Sequence, residues 1–217
     1  MLDQMNNRYA AVLRRRPVQR RGAATVNALL DACATLLAEH GYEQLTTARI
    51  AEVAGVPIGS FYQYFPDKRS VVLAMALRGL DSFLAEVDRY FQQESPATWR
   101  EAVDGVLRLY RCMLDSVPGF GAVRFSDVVE GQPLDPELDH HAAMARYFAQ
   151  RFGTYFGVPV DEELNVTFRV CVEALEAVVR LATRESDPQR RESILRRARQ
   201  LSIGLLAPCF DGEPVTT

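Results

Sequence analysis

Apolar residues return every three or four positions along most of the chain, beginning with Val26, Leu29, Leu30, Cys33, Leu36 and Leu37 and ending at His40. One stripe of that period marks an amphipathic helix over about 23–40, and Gly41 stops it. Two short pieces follow. Thr47 to Ala54 takes Thr46 as its N-cap and turns Ile50 and Val53 inward, while Ile58 to Phe65 sets Phe61 and Phe65 one turn apart on one face. Ala54-Gly55-Val56-Pro57 connects them tightly. Pro66 ends the third piece, and Asp67 caps a long helix from Lys68 to Phe91.

Beyond it, Pro96, Pro118, Pro133, Pro136, Pro159 and Pro188 divide helices expected at about 97–116, 120–130, 136–156, 161–185 and 188–207. No stretch alternates apolar and polar residues with β-branched enrichment, and no repeat of roughly 20–50 residues is present. The fold class is all-α.

Composition narrows the function. The 217 residues are 48% hydrophobic and 24% charged, which excludes a disordered chain and leaves room for one sizeable domain or two small ones. The longest run without a charge is the 14 residues from Val53 to Pro66; its Gly, Pro, Ser and Gln exclude a membrane span of about 20 apolar residues. The N-terminus lacks a basic-then-apolar signal pattern, so a cytoplasmic protein is expected. Cys33, Cys112, Cys171 and Cys209 lie too far apart for a CxxC or zinc spacing and read as free thiols.

The formal net charge of -3 conceals an uneven distribution. Residues 1–70 carry nine basic and six acidic side chains, a net of +3, and residues 71–217 carry sixteen and twenty-two, a net of -6. Arg8, Arg14, Arg15, Arg16, Arg20 and Arg21 form a run without any acid. Such an arm is either a phosphate-attracting element or a solvated tail, and charge alone does not choose between them.

Local order does. Two short helices joined by a glycine-containing turn, behind a longer amphipathic one, let the second short helix enter a major groove while the others brace it. The string TTARIAEVAGVPIGSFYQYFPDKRSVV, residues 46–72, adds Ala54-Gly55-Val56, Gly59, Tyr62, Tyr64-Phe65 and Lys68 at set spacings. In these motifs it resembles the DNA-binding region of TetR-family bacterial repressors, closely over residues 20–80 and elsewhere only in length and helical organisation. The resemblance implies a basic arm at 1–17, a three-helix DNA-binding domain at 18–80 with its helix-turn-helix at about 46–65, and an effector-binding and dimerisation domain at 81–217. The long helix joins the two domains.

Ile50, Val53, Val56 and Phe61 are expected to form the small core of the three-helix unit, with Phe65 closing it. Gly59 permits close approach of backbone to DNA, or simply starts a helix. Ser60, Tyr62, Gln63 and Tyr64 leave the inward face. Gln63 suits an adenine edge, Ser60 is an adaptable donor and Ile58 fits a thymine methyl. Tyr62, Tyr64, Thr47 and Lys68 suit phosphate oxygens. Residues 53–66 carry no charge, so the recognition helix supplies base discrimination but little counterion release. That release must come from Arg14, Arg15, Arg16, Arg20, Arg21, Arg49 and Lys68, with the arm along phosphates or in an adjacent minor groove. Ala48 stands where some relatives place a basic residue.

The segment Val166 to Ala182 is apolar around most of its circumference, which calls for packing on its own core and on another subunit. Val172, Leu175 and Val179, with Leu195, Ala198 and Leu201 of the last helix, are the candidate interface. The resemblance implies that the last two helices form a four-helix bundle across a two-fold axis, and so a homodimer on palindromic double-stranded operator DNA. Core packing accounts for most of the central aromatics; Trp99, Tyr110, Phe125, Tyr147, Phe148 and Phe168 are candidates to line an effector pocket. By resemblance, a largely apolar small molecule binds there, shifts the fourth helix, alters the separation of the reading heads and releases the repressor from DNA.

His140 and His141 beside Asp139 form one local cluster without a second group of ligands, which reads as an exposed helix start and not a metal site. No phosphate loop, GxSxG elbow, HExxH pair or dinucleotide glycine set is present, so neither an enzyme nor a cofactor is expected. A helical protein-interaction module is the alternative, and it would leave the Tyr/Gln/Tyr face and the arginine arm unexplained.

Overall fold

The computed structural model describes residues 12–120 and 140–212, of which His140 is described in its backbone only. These residues form eight α-helices and no strand: α1 Arg20–His40, α2 Thr47–Val53, α3 Ile58–Tyr64, α4 Lys68–Gln93, α5 Trp99–Ser116, α6 His140–Phe156, α7 Glu162–Arg184 and α8 Pro188–Phe210. The helix expected at 120–130 falls almost wholly outside the described residues. Helix α8 runs past the expected stop, with Pro208 inside its last turn and the Asp211 N–H donating to the Ala207 carbonyl at 2.8 Å.

The chain divides into two compact units. Of the described residues, the first holds 12–88 and 109–120, and the second holds 89–108 and 140–212. Helices α4 and α5 each contribute to both units.

In the first unit the α1 stripe packs on Leu45, Ile50, Phe61, Phe65, Val71 and Val72, all buried. Two caps set the short helices. The Thr46 hydroxyl accepts from the Arg49 N–H at 3.2 Å, satisfying one of the free donors at the start of α2. At its other end the Gly55 N–H donates to the Glu52 carbonyl and the Val56 N–H to the Ala51 carbonyl, both at 3.0 Å, around Gly55 at φ +67°. Only glycine takes that left-handed conformation at little cost, so the turn reverses the chain within a few residues and brings Val56 back onto the core.

Val53 departs from the expectation of burial: it is 51% exposed. The buried face of α2 is Ile50 and Ala51, with Ala54 packed beside them. At 3.6 residues per turn, Val53 points roughly 100° away from the middle of those three. A three-residue step from Ile50 selects the wrong side of the stripe, and the four-residue step to Ala54 is the one the core uses.

The second unit is built on aromatic rings. Phe152 lies 5.5 Å from Phe91, 5.4 Å from Phe168 and 6.2 Å from Phe210 between ring centroids. Trp99 stacks on Phe210 at 5.6 Å, and its indole N–H donates to Asp211 at 2.9 Å. Arg199 holds Asp104 through two hydrogen bonds of 2.5 and 3.0 Å. Helix α7 starts on Asp161, whose carboxylate accepts from the Leu164 N–H at 2.9 Å.

Candidate nucleic-acid interface

Helix α3 is anchored by Phe61, fully buried and 5.7 Å from Phe65, which turns the opposite side of the helix to solvent. On that side Ile58 is 43% and Tyr62 45% exposed, Gly59 and Gln63 are exposed, and Ser60 is half-buried. An added Cβ on Gly59 would meet no neighbour within 4 Å, so internal packing does not account for a glycine here. Thr47 and Tyr62 share a hydrogen bond of 3.0 Å between their hydroxyls, which ties the start of α2 to the outer face of α3. The exposed face of α3 is apolar and polar but uncharged.

Tyr64 differs from its neighbours. The helical pattern turns it outward, yet it is half-buried and packed on the first-unit core. Its hydroxyl comes so near the start of α1 that a Cβ on Gly22 would lie 2.9 Å from it, so a side chain at that position would require the ring to shift. The Arg14 N–H donates to the Tyr64 carbonyl at 2.9 Å, and Leu13 is buried in the same core. The arm is therefore pinned against the end of the recognition helix from Leu13 onward. Arg15, Arg16, Pro17 and Arg21 face Ser60, Gln63 and Tyr64 across a cleft of about 330 Å³. Sequence reasoning misses this anchor; its signal is the apolar Val12-Leu13 pair next to three arginines.

The cations divide into two groups. Lys68 donates to the Tyr42 carbonyl at 3.2 Å and lies 4.3 Å above the Tyr42 ring, so it holds the start of α4 to the loop after α1. Arg49 donates to His40 Nε2 at 2.9 Å. Arg14, Arg15, Arg16, Arg20 and Arg21 are all exposed and lie in sequence on the arm and the first turn of α1.

Residues 29–75 match the family model described as "Bacterial regulatory proteins, tetR family", and residues 97–210 match "Tetracyclin repressor-like, C-terminal domain". The chain belongs to the TetR family. It is 32% identical to a TetR-family transcriptional regulator from Streptomyces coelicolor, with a TM-score of 0.72 over 85% of this chain and 99% of that one. It is 23% identical over 172 residues to the class A tetracycline repressor protein from transposon 1721 of Escherichia coli, covering 79% of this chain and 74% of the repressor. A 69-residue stretch is 28% identical to the fatty acid metabolism regulator protein of Bacillus subtilis (strain 168); it covers 32% of this chain and spans only 36% of that regulator. As a TetR-family member the chain is a ligand-responsive DNA-binding transcriptional regulator, which does not favour the interaction-module alternative.

In the second unit Trp99, Tyr147, Phe148 and Phe168 are buried among the aromatic rings, Phe148 stacking on Phe168 at 6.3 Å. Tyr110 belongs to the first unit, 5.4 Å from both Phe83 and Phe120, and Phe125 lies outside the described residues. Of the expected interface, Val172 and Ala198 are already buried within this one chain, whereas Leu175, Val179, Leu195 and Leu201 are half-buried. The outer apolar face of α7 is instead Val166, Val170, Ala177 and Leu181, on one side of the helix at steps of four and seven. In the sequence those residues belong to an all-round apolar helix, and only the packing of α6 and α8 on α7 shows which side is left.

His141 is not the exposed helix-start residue that the sequence indicates; it is 9% exposed. Its Nδ1 lies 3.1 Å from a Glu173 oxygen and its Nε2 2.8 Å from a Glu176 oxygen. Burial pulls the imidazole pKa down, but the hydrogen bond and charge of Glu176, then those of Glu173, outweigh it and raise the group above its ordinary value. These carboxylate partners are absent from the local sequence because they come from a neighbouring helix.

Proposed function

We propose that this chain is a repressor that binds a palindromic operator as a homodimer in the cytoplasm and is released when a small, largely apolar molecule binds its C-terminal domain. The observation that carries the reading is the uncharged exposed face of α3 flanked by exposed arginines. Such a face offers hydrogen bonds and methyl contacts to base edges, and the cations beside it match the phosphates that border a groove. Ile58, Gly59, Ser60 and Gln63 take the base-edge role. Thr47, Tyr62, Arg20 and Arg21 take phosphates, and Tyr64 and Lys68 contribute chiefly by fixing the arm and α4 in place.

The exposed stripe of α7, with the half-buried Leu175, Val179, Leu195 and Leu201, supports dimerisation through the last two helices, because a row of apolar side chains along a regular helix gains from being covered. Among the described residues no helix is long and apolar enough to cross a membrane, in keeping with a DNA-binding partner. The aromatic second unit supports an apolar effector.

Gel-shift titration against the DNA upstream of the protein's own gene tests the reading. The wild type is expected to bind a palindromic segment specifically. Gln63→Ala is expected to lose about 1–3 kcal/mol of discrimination while keeping its affinity for non-specific DNA. Equal affinity of the wild type for operator and random DNA would contradict it.

A further inference from the structure

The His141–Glu173–Glu176 cluster lies in the second unit, whereas every residue assigned to DNA belongs to the first. Helices α6 and α7 run antiparallel: Phe148 meets Phe168, and seven residues earlier on α6 His141 meets Glu173 and Glu176. The two glutamates are three residues apart and so share one face of α7. One nitrogen of His141 and one oxygen from each glutamate all lie within 4.8 Å of one another. The imidazole is buried while the Glu173 side chain is 44% and the Glu176 side chain 31% exposed, so a solute reaches the donors from the carboxylate side. Arg169 holds the other oxygen of Glu173 at 2.6 Å, orienting that carboxylate towards the imidazole.

We propose that His141, Glu173 and Glu176 form a binding site for a divalent first-row transition-metal ion of the Zn²⁺ class. The donor set fits that class. One imidazole with two carboxylates is a mixed nitrogen and oxygen set, in which the imidazole favours Zn²⁺ and its neighbours in the series over Mg²⁺ or Ca²⁺. Ligand distances of about 2.0–2.2 Å around a tetrahedral ion put donor atoms roughly 3.4 Å apart. Glu173 sits on Nδ1 and Glu176 on Nε2, so an ion taken by Nε2 keeps Glu176 with a small opening of the present 2.8 Å and draws the Glu173 side chain round from Nδ1, with all three donors starting within 4.8 Å of one another and water as the fourth ligand. The ion displaces the Nε2 proton that otherwise lies between the imidazole and Glu176, and it stitches α6 to α7 in its place. Three donors and an open position make this a loadable site, distinct from a closed structural one.

The test uses the full chain without a histidine tag, dialysed free of metal and titrated with Zn²⁺ by calorimetry, with Co²⁺ absorption as a report on the ligand set. One ion per chain is expected, with a rise in thermal midpoint on binding. His141→Ala and Glu176→Gln are each expected to abolish that binding while leaving the helical circular dichroism unchanged, and Glu173→Gln to weaken it at least tenfold. Cys112 is exposed and could hold metal nonspecifically, so Cys112→Ser is expected to leave the stoichiometry as it was. Should His141→Ala fail to fold, Glu176→Gln, which keeps the hydrogen bond to the imidazole, decides alone. No stoichiometric uptake by the wild type, or uptake that survives Glu176→Gln, would overturn the proposal and leave the cluster a proton-bridged triad. DNA binding is not among the readouts, so the outcome is independent of the reading of α3.

Discussion

At the scale of single residues, the first unit separates apolar side chains that build the core from those left for a partner. Ile50 is fully buried and Val53, three positions on, is half-exposed. Ile50→Ala is therefore expected to lower stability by about 2–5 kcal/mol in urea unfolding, and Val53→Ala to stay within about 0.5 kcal/mol, as surface changes do. Equal losses would contradict the assignment of Val53 to the outer face. The same distinction applies along α3, where Phe61 is an anchor and Ile58 and Tyr62 are available to a partner. Residue identity alone does not separate such pairs, because valine and isoleucine are chemically near-equivalent. The phase of a seven-residue helix is settled by its neighbours, here by the turn at Gly55 that draws Ala54 and Val56 onto the core.

At the scale of elements, helix positions are legible wherever a stop, a cap or a proline stands in the sequence: Gly41, Thr46 and Asp67 sit at helix boundaries in the structure, and Pro159 and Pro188 fall beside the caps Asp161 and Asp187. What the sequence does not disclose is which helix meets which. His141 finds its partners 32 and 35 residues away on α7, a pairing that depends on antiparallel packing and has no local signature. The clamp between α5 and the end of α8 is a second case. Asp211 accepts from Arg100 and from the Trp99 indole, and the Arg100 guanidinium lies 4.2 Å over the Trp99 ring. The Arg100 hydrogen bond, then that of Trp99, hold the Asp211 carboxyl below the usual carboxylate range. A lowered folded-state pKa stabilises the fold above the unfolded value of about 3.9, and that contribution is lost as pH falls through the folded value. Trp99 is the single tryptophan, so its emission reports the clamp. An acid titration of the wild type is expected to show a fluorescence transition below about pH 4, absent in Asp211→Asn, whose emission is already altered at neutral pH. Identical titrations of the two proteins would rule the clamp out.

At the scale of the whole molecule, we propose that a chain of net charge -3 binds a polyanion through the net +3 of residues 1–70, with that charge kept off the exposed face of α3. Base discrimination is assigned to α3 and electrostatic affinity to the arm, which the Leu13 anchor and the Arg14–Tyr64 hydrogen bond set alongside α3. Truncating the arm would remove Leu13 from the core and confuse stability with charge. Replacing Arg14, Arg15 and Arg16 together by alanine leaves the anchor and the backbone hydrogen bond in place. The decisive measurement is operator affinity as a function of salt for the wild type and this triple variant. The account predicts that the slope of log K on log salt becomes shallower by about 2–3, at roughly 0.9 for each phosphate no longer neutralised, with discrimination between operator and random DNA preserved. An unchanged slope, or a loss of discrimination at an unchanged slope, would contradict it.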